Sequence, residues 1–232
     1  MSTTSSAPHR LVTVAHGTRK SGGNEVAREI TVAAGLALGT EAVCSYVELS
    51  EPLFEDVVAA DATPTVVVPL LLSTGFHLRQ DLPRMARGAT GPLVLGRPLG
   101  PHQLVARAQL DQLARVGARP GDGRLVLVAA GSSDPLATRD LTRAAELLGR
   151  LWGSPVEVAT LSALGRRPAE VVRAGDVVSP YLLSPGFFAD RARSESLAAG
   201  AAVVADVIGP HPLVVDLVVQ RTGALKSVRQ TA

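Results

Sequence analysis

Cys44 is the only cysteine in the chain, so no intrachain disulfide and no cysteine-rich metal cluster can form, and a reducing cytoplasm is the expected setting. Aromatic residues are nearly as scarce. Four Phe, two Tyr and one Trp leave little for nucleobases to stack on, no basic run is interleaved with them, and the formal charge is only +2. Nucleic acid is therefore not an expected partner. No window approaches the ~18 uninterrupted apolar residues of a membrane span. The first ten residues, Met1 to Arg10, carry no apolar signal-peptide core. A membrane partner is not expected either, and this stretch reads as a polar tail.

What is present suits a folded protein, with 46% apolar and 19% charged residues. At 232 residues the chain exceeds the roughly 100–150 of a common single domain, which favours two. Short β-branched runs at 10–15, 42–48 and 65–72, with a brief one at 94–96, read as strands. Helix-like stripes fall between them. Asn24 reads as the cap of a helix burying Val26, Ile30 and Ala33. Ser50-Glu51-Pro52 reads as the start of a helix burying Leu53, Phe54, Val57 and Val58. Pro101 opens a helix carrying Leu104, Ala108 and Leu113. Alternating strands and helices predict an α/β fold built on a mostly parallel sheet covered on both faces.

The pattern then restarts. Past a linker at Ala118–Gly123, Leu125–Ser133 matches Leu11–Arg19 at a shift of 114. Pro180–Phe188 matches Pro69–His77 at a shift of 111, and Gly209-Pro-His211 matches Gly100-Pro-His102 at a shift of 109. Two such units predict two similar α/β domains, 1–118 and 119–232, related by internal duplication. The two copies also report on each other. Ala130, Ser162 and Phe188 of the second occupy the places of His16, Glu48 and His77 in the first. All three polar groups disappear together while Gly131, Pro180 and Gly186 are kept, which points to one shared site in the first half. His16 and His77 each follow a buried strand, and in parallel sheets ligands bind beyond the carboxyl ends of the strands. The two imidazoles are expected to face one cleft. His102 and His211 persist in both halves and read as structural, Cys44 reads as a structural thiol, and Glu48 has the alternative of capping the next helix.

The segments Ala15-His-Gly-Thr-Arg19, Tyr46-Val-Glu-Leu49 and Pro69-Leu-Leu-Leu-Ser-Thr-Gly-Phe-His77, followed by Asp81-Leu-Pro83, resemble the class II tetrapyrrole chelatases. The likeness is to the long, two-domain sirohydrochlorin chelatases of the CbiX and SirB type, and it extends through Ser184–Arg191 in the second half. Thr18 stands where Ser is commoner in that family and keeps the hydroxyl. The resemblance implies insertion of Fe2+, or alternatively Co2+ for cobalamin biosynthesis, into sirohydrochlorin, with His16 and His77 in the active cleft. The macrocycle must lose two pyrrole protons while the metal sheds its water. Neutral imidazole, with an ordinary pKa of about 6.5, suits both proton acceptance and weak metal binding. Glu48 would complete a set that leaves coordination positions open.

On this reading the divalent metal is a substrate and no cofactor is stored. Arg19, Arg79 and Arg84 are candidates for pairing the macrocycle's carboxylates, Gly17 and Thr18 for backbone contacts, and Phe76 for apolar contact with the ring. A monomer with two domains is expected. A non-catalytic tetrapyrrole or metal carrier is the alternative from another class.

Overall fold

The computed structural model describes residues 9–19, 21–75 and 77–229. The sequence-read tail up to Pro8, and Phe76, lie outside the described residues. Strands β1 (Arg10–Ala15), β2 (Ala42–Tyr46), β3 (Thr65–Pro69) and β4 (Leu93–Leu95) form a sheet in the order β2-β1-β3-β4 with every pair parallel. Strands β5 (Leu125–Ala129), β6 (Val156–Thr160), β7 (Val177–Tyr181) and β8 (Val203–Val204) form a second parallel sheet, β6-β5-β7-β8. The topology is the same twice, in the order the sequence repeat requires. All five residues of β3, β5 and β7 are buried, as continuous apolar runs demand of strands covered on both faces.

On one face of the first sheet lie α2 (Phe54–Ala59) and α3 (Leu82–Ala86), which bring Phe54, Val58 and Leu82 against Val12, Val14 and Val67. On the matching face of the second sheet α6 (Pro168–Val171) and α7 (Phe187–Ala198) do the same with Val171 and Ala192. The other faces share a single core. Buried residues of α1 (Ser21–Leu38), α4 (Gln103–Arg115), α5 (Pro135–Trp152) and α8 (Pro212–Arg229) join both sheets in one continuous cluster. The helix that follows each fourth strand packs on the opposite half, α4 against β7 and α8 against β3. Gln109 of α4 accordingly donates to Ser179 Oγ in β7 at 2.8 Å, and Gln112 donates to the Ile208 carbonyl at 2.9 Å. No helix among the described residues is long and apolar enough to cross a membrane.

Some local expectations shift. The helix after β1 begins at Ser21, so Asn24 lies inside it, buried, and does not cap it. The helix read from Ser50-Glu51-Pro52 begins at Phe54, with the Glu51 carboxylate accepting from the Leu53 amide at 3.0 Å. Strands β2 and β3 end earlier than the apolar runs because single bonds, Val47 N–H to the Ala15 carbonyl and Leu70 N–H to the Val14 carbonyl, carry the chain onward outside the ladder. His102 and His211 are helix N-termini in both halves, their Nδ1 atoms accepting from Leu104 and Leu213 amides at 3.2 Å. Cys44 lies half-buried in β2.

Candidate active site

Beyond the carboxyl ends of β1 and β2 the chain draws two loops together. The His16 carbonyl accepts from the Glu48 amide at 3.2 Å, and Gly17, at a φ of +95°, lies so close that a Cβ there would meet the Glu48 carbonyl. Only glycine allows both the left-handed backbone and the approach. The second half repeats this joint, with Gly131 at +91° against the Ser162 carbonyl. The repeat pairs Glu48 with Ser162 correctly, and the same backbone geometry carries different side chains.

In the first half those side chains are an imidazole and a carboxylate. His16 Nε2 stands 3.4 Å from Glu48 Oε1, both side chains about half exposed, while His16 Nδ1 faces the Gly17 carbonyl at 3.3 Å. A carbonyl can only accept, so a hydrogen bond there requires the proton on Nδ1 and leaves the Nε2 lone pair toward the carboxylate. Two acceptors so placed are held together by a proton or a cation between them. Two ligands each about 2.1 Å from a tetrahedral divalent ion stand about 3.4 Å apart, which is the spacing needed to share one. In the second half Ser162 donates instead to the Ala130 carbonyl at 2.7 Å, closing the joint with a neutral bond. Glu48 does not cap α2, which has no side-chain cap, and the Glu51 carboxylate takes the Leu53 amide just before it.

Asn24 holds these loops together, a role its sequence context did not signal. From inside α1 its Oδ1 accepts from the Thr18 amide at 3.1 Å and its Nδ2 donates to the Thr18 carbonyl at 2.8 Å and to Ser50 Oγ at 3.0 Å. The loop after β1 and the loop after β2 are thus tied to one buried amide. Tyr46, whose hydroxyl donates to the Asn24 carbonyl, is buried beneath, and burial pushes its phenol well above the usual range.

His16 lines a cleft of about 710 Å³ between the halves. The first half supplies Ala15–Thr18 and the end of β3 with its loop, Leu70–Gly75; the second supplies Ala129–Ser133 and Tyr181–Ala189. Cross-half bonds fix its floor. The Thr74 amide donates to Asp140 Oδ2 at 2.7 Å, and the Tyr181 hydroxyl donates to the Leu72 carbonyl at 2.8 Å. Tyr181 stands at the repeat position of Leu70, and burial followed by the nearby Asp140 charge pushes its phenol far upward. Gly23 admits Pro185 from the second half, whose carbonyl would press on any Cβ at 23.

His77 opens a π-helical turn, His77–Asp81, two residues past the cleft-lining Gly75. Its side chain lies outside what the structure describes, as does Phe76. Of the arginines, Arg79 reaches Asp134 in the second half at 3.3 Å and Arg84 reaches Asp81 at 3.7 Å, while Arg19 is exposed beside the cleft loop. Among the described residues no group of three or more His, Cys, Asp and Glu side chains comes together. The structure therefore unites His16 with Glu48 and puts the backbone of His77 at the end of the same cleft-lining loop. Sequence reasoning missed the tie made by Asn24 and the reach of Asp140, whereas the second half was expected to form one wall of the cleft and does so through Tyr181–Ala189. Tyr181, which stands where the first half has Leu70, could have been singled out as a polar departure within the repeat.

The fold recurs in known proteins. The sirohydrochlorin ferrochelatase of Bacillus subtilis (strain 168) is 31% identical over 211 residues, spanning 81% of this chain and 78% of its own. The structure of SirB from Bacillus subtilis with Fe3+ superposes with a TM-score of 0.82 at 26% identity, covering 97% of this chain and 98% of that one. The sirohydrochlorin chelatase SirB from Bacillus subtilis subspecies spizizenii, in complex with cobalt, superposes with a TM-score of 0.78 at 26% identity, over 97% of each chain. The CbiX family model matches twice, at residues 10–116 and at 124–225, once for each sheet with its helices, and the chain belongs to the CbiX family.

Proposed function

We propose that this protein is a sirohydrochlorin chelatase that inserts Fe2+ into the macrocycle to give siroheme. The observation that carries the reading is the His16–Glu48 pair, 3.4 Å apart at the edge of a cleft formed by both halves of a duplicated CbiX chain. The pair can hold a divalent ion while leaving most of its coordination positions open, so that pyrrole nitrogens replace water. His77, on the turn after Gly75, is the second imidazole and takes up a pyrrole proton. Glu48 shares the ion with His16 and balances its charge. Gly17 and Thr18 shape the loop that presents His16. Arg19 meets a substrate carboxylate directly, and Arg79 and Arg84 do so by exchanging Asp134 and Asp81 for it.

The metal is a substrate in this scheme, and the protein keeps no cofactor. Residues 1–118 carry the reacting groups and 119–232 the facing wall. One chain supplies both, so the monomer is the functional unit, and the cytoplasm, where iron stays divalent, is the compartment. A cobalt-bound relative favours Co2+ as a second metal for the same site. Incubating the protein with metal-free sirohydrochlorin and excess Fe2+ or Co2+, and following the absorption spectrum, tests the reading. Many turnovers per chain are expected, faster with Fe2+. A single stoichiometric burst would identify a carrier, and a Co2+ preference would move the protein to cobalt insertion.

A further inference from the structure

Aromatic surface is distributed unevenly in this chain. Tyr46, Phe54, Trp152 and Tyr181 are buried, whereas Phe187 and Phe188 are 61% and 37% exposed, and both line the cleft. They are held in place. Their rings meet edge to face, with centroids 5.4 Å apart at 70°, and the Arg191 guanidinium lies 5.5 Å from the Phe187 centroid. Arg191 is itself fixed by Glu195 at 2.8 Å and by the Leu161 carbonyl at 3.0 Å. Such a pair is a stiff aromatic surface left open to water, which folding alone does not favour. It stands where the repeat puts His77 in the first half, so the cleft carries the His16 imidazole on one side and two aromatic rings on the other. Leu49, half exposed, lines the cleft from the first half.

We propose that the second half holds the macrocycle, with the Phe187–Phe188 pair as an aromatic platform in which one ring lies against the conjugated tetrapyrrole and the other braces it edge-on, while the first half handles the metal. This rests on the sirohydrochlorin reading above. A conjugated ring is the ligand class that exposed aromatic side chains recognise, and a hydrated metal ion gains nothing from them. The two substrates therefore have separable determinants.

Binding of metal-free sirohydrochlorin, with no metal present, is measured by absorbance titration on the full chain. The compared proteins are wild type, Phe187→Ala/Phe188→Ala, Phe188→Leu and His16→Ala. The double variant is expected to bind about tenfold more weakly or worse. Phe188→Leu, which keeps bulk without a ring, should fall between, and His16→Ala should bind as wild type does. In turnover assays the double variant's KM for the macrocycle rises while kcat and the KM for Fe2+ stay within about twofold. An unchanged dissociation constant in the folded double variant overturns the platform and leaves the chelatase reading standing. Failure of the wild type to bind sirohydrochlorin overturns both.

Discussion

His16 and Glu48 are brought together by backbone, since the Glu48 amide is bonded to the His16 carbonyl, and so their side chains can be changed without undoing the joint. His77→Ala is expected to lower kcat by about 10²–10⁴-fold, the range that a placed proton acceptor contributes, and His16→Ala to cut turnover as sharply by removing a ligand to the metal. Thermal midpoints should hold for His16→Ala, whose side chain is half exposed. Wild-type turnover in a folded His77→Ala protein would remove that residue from the mechanism. Glu48→Gln keeps the shape and loses the charge, so it should raise the Fe2+ concentration needed more than it lowers kcat. A different histidine governs stability. Burial, and then the Arg221 charge, hold the His102 imidazole below its ordinary pKa, in keeping with an Nδ1 that must stay unprotonated to cap α4. Because the unfolded chain then takes up the proton more readily, this contribution is complete above about pH 6.5 and is lost as pH falls through the lower folded-state value. His102→Asn retains a capping oxygen and cannot titrate. Its unfolding free energy should therefore fall less than the wild type's between pH 7 and 5, and parallel curves would rule out His102 as the source.

The loops after the strands, more than the strands themselves, decide what this fold can do. Gly17→Ala would drive a Cβ into the Glu48 carbonyl at a φ that L-residues avoid, costing roughly 1–3 kcal/mol and moving His16 relative to Glu48. Gly131→Ala meets the same obstruction at Ser162 and should lose similar stability. The greater share of turnover is expected to survive there, because no imidazole hangs on that joint. Equal activity losses would mean that the joints matter only for folding. Leu49 and Ala163, both at positive φ and one repeat apart, show the same logic: the left-handed turn belongs to the architecture, since it persists where the chemistry has gone. Asp140 on α5 acts across the halves. Asp140→Leu leaves the half-buried Thr74 amide without its acceptor, a loss of about 1 kcal/mol, and frees the loop that leads to His77. Asp140→Asn keeps an oxygen in place and should restore most of both stability and turnover.

At the scale of the molecule, the exchange of α4 and α8 binds the halves into one core. A 1–118 fragment would lose α8 from α1 and β3 and α5 from α4, uncovering Val26, Ile30, Val66 and Leu113 among others. Each such side chain is worth roughly 1.5–3 kcal/mol of burial, so the fragment should self-associate or aggregate and bind macrocycle poorly. Light scattering and a turnover assay on the fragment check this. A soluble, fully active monomer of 1–118 would show that neither the shared core nor the facing wall is needed.

The alternating pattern and the repeat were enough to read the parallel α/β architecture and its duplication, because period and turn chemistry are local properties. They also singled out the residues proposed to react, since one half lacks what the other has: Ala130, Ser162 and Phe188 mark His16, Glu48 and His77 by contrast. Local pattern does not encode partners distant in sequence. That Asn24 would turn from its helix to tie two loops, that α4 and α8 would change sides, and that Asp140 and Tyr181 would reach the backbone of Thr74 and Leu72 followed only once the chain had closed on itself. The cleft is likewise a tertiary product. Its imidazole is written in one half of the sequence and its exposed aromatic rings in the other, and only packing across the shared core brings them to one cleft.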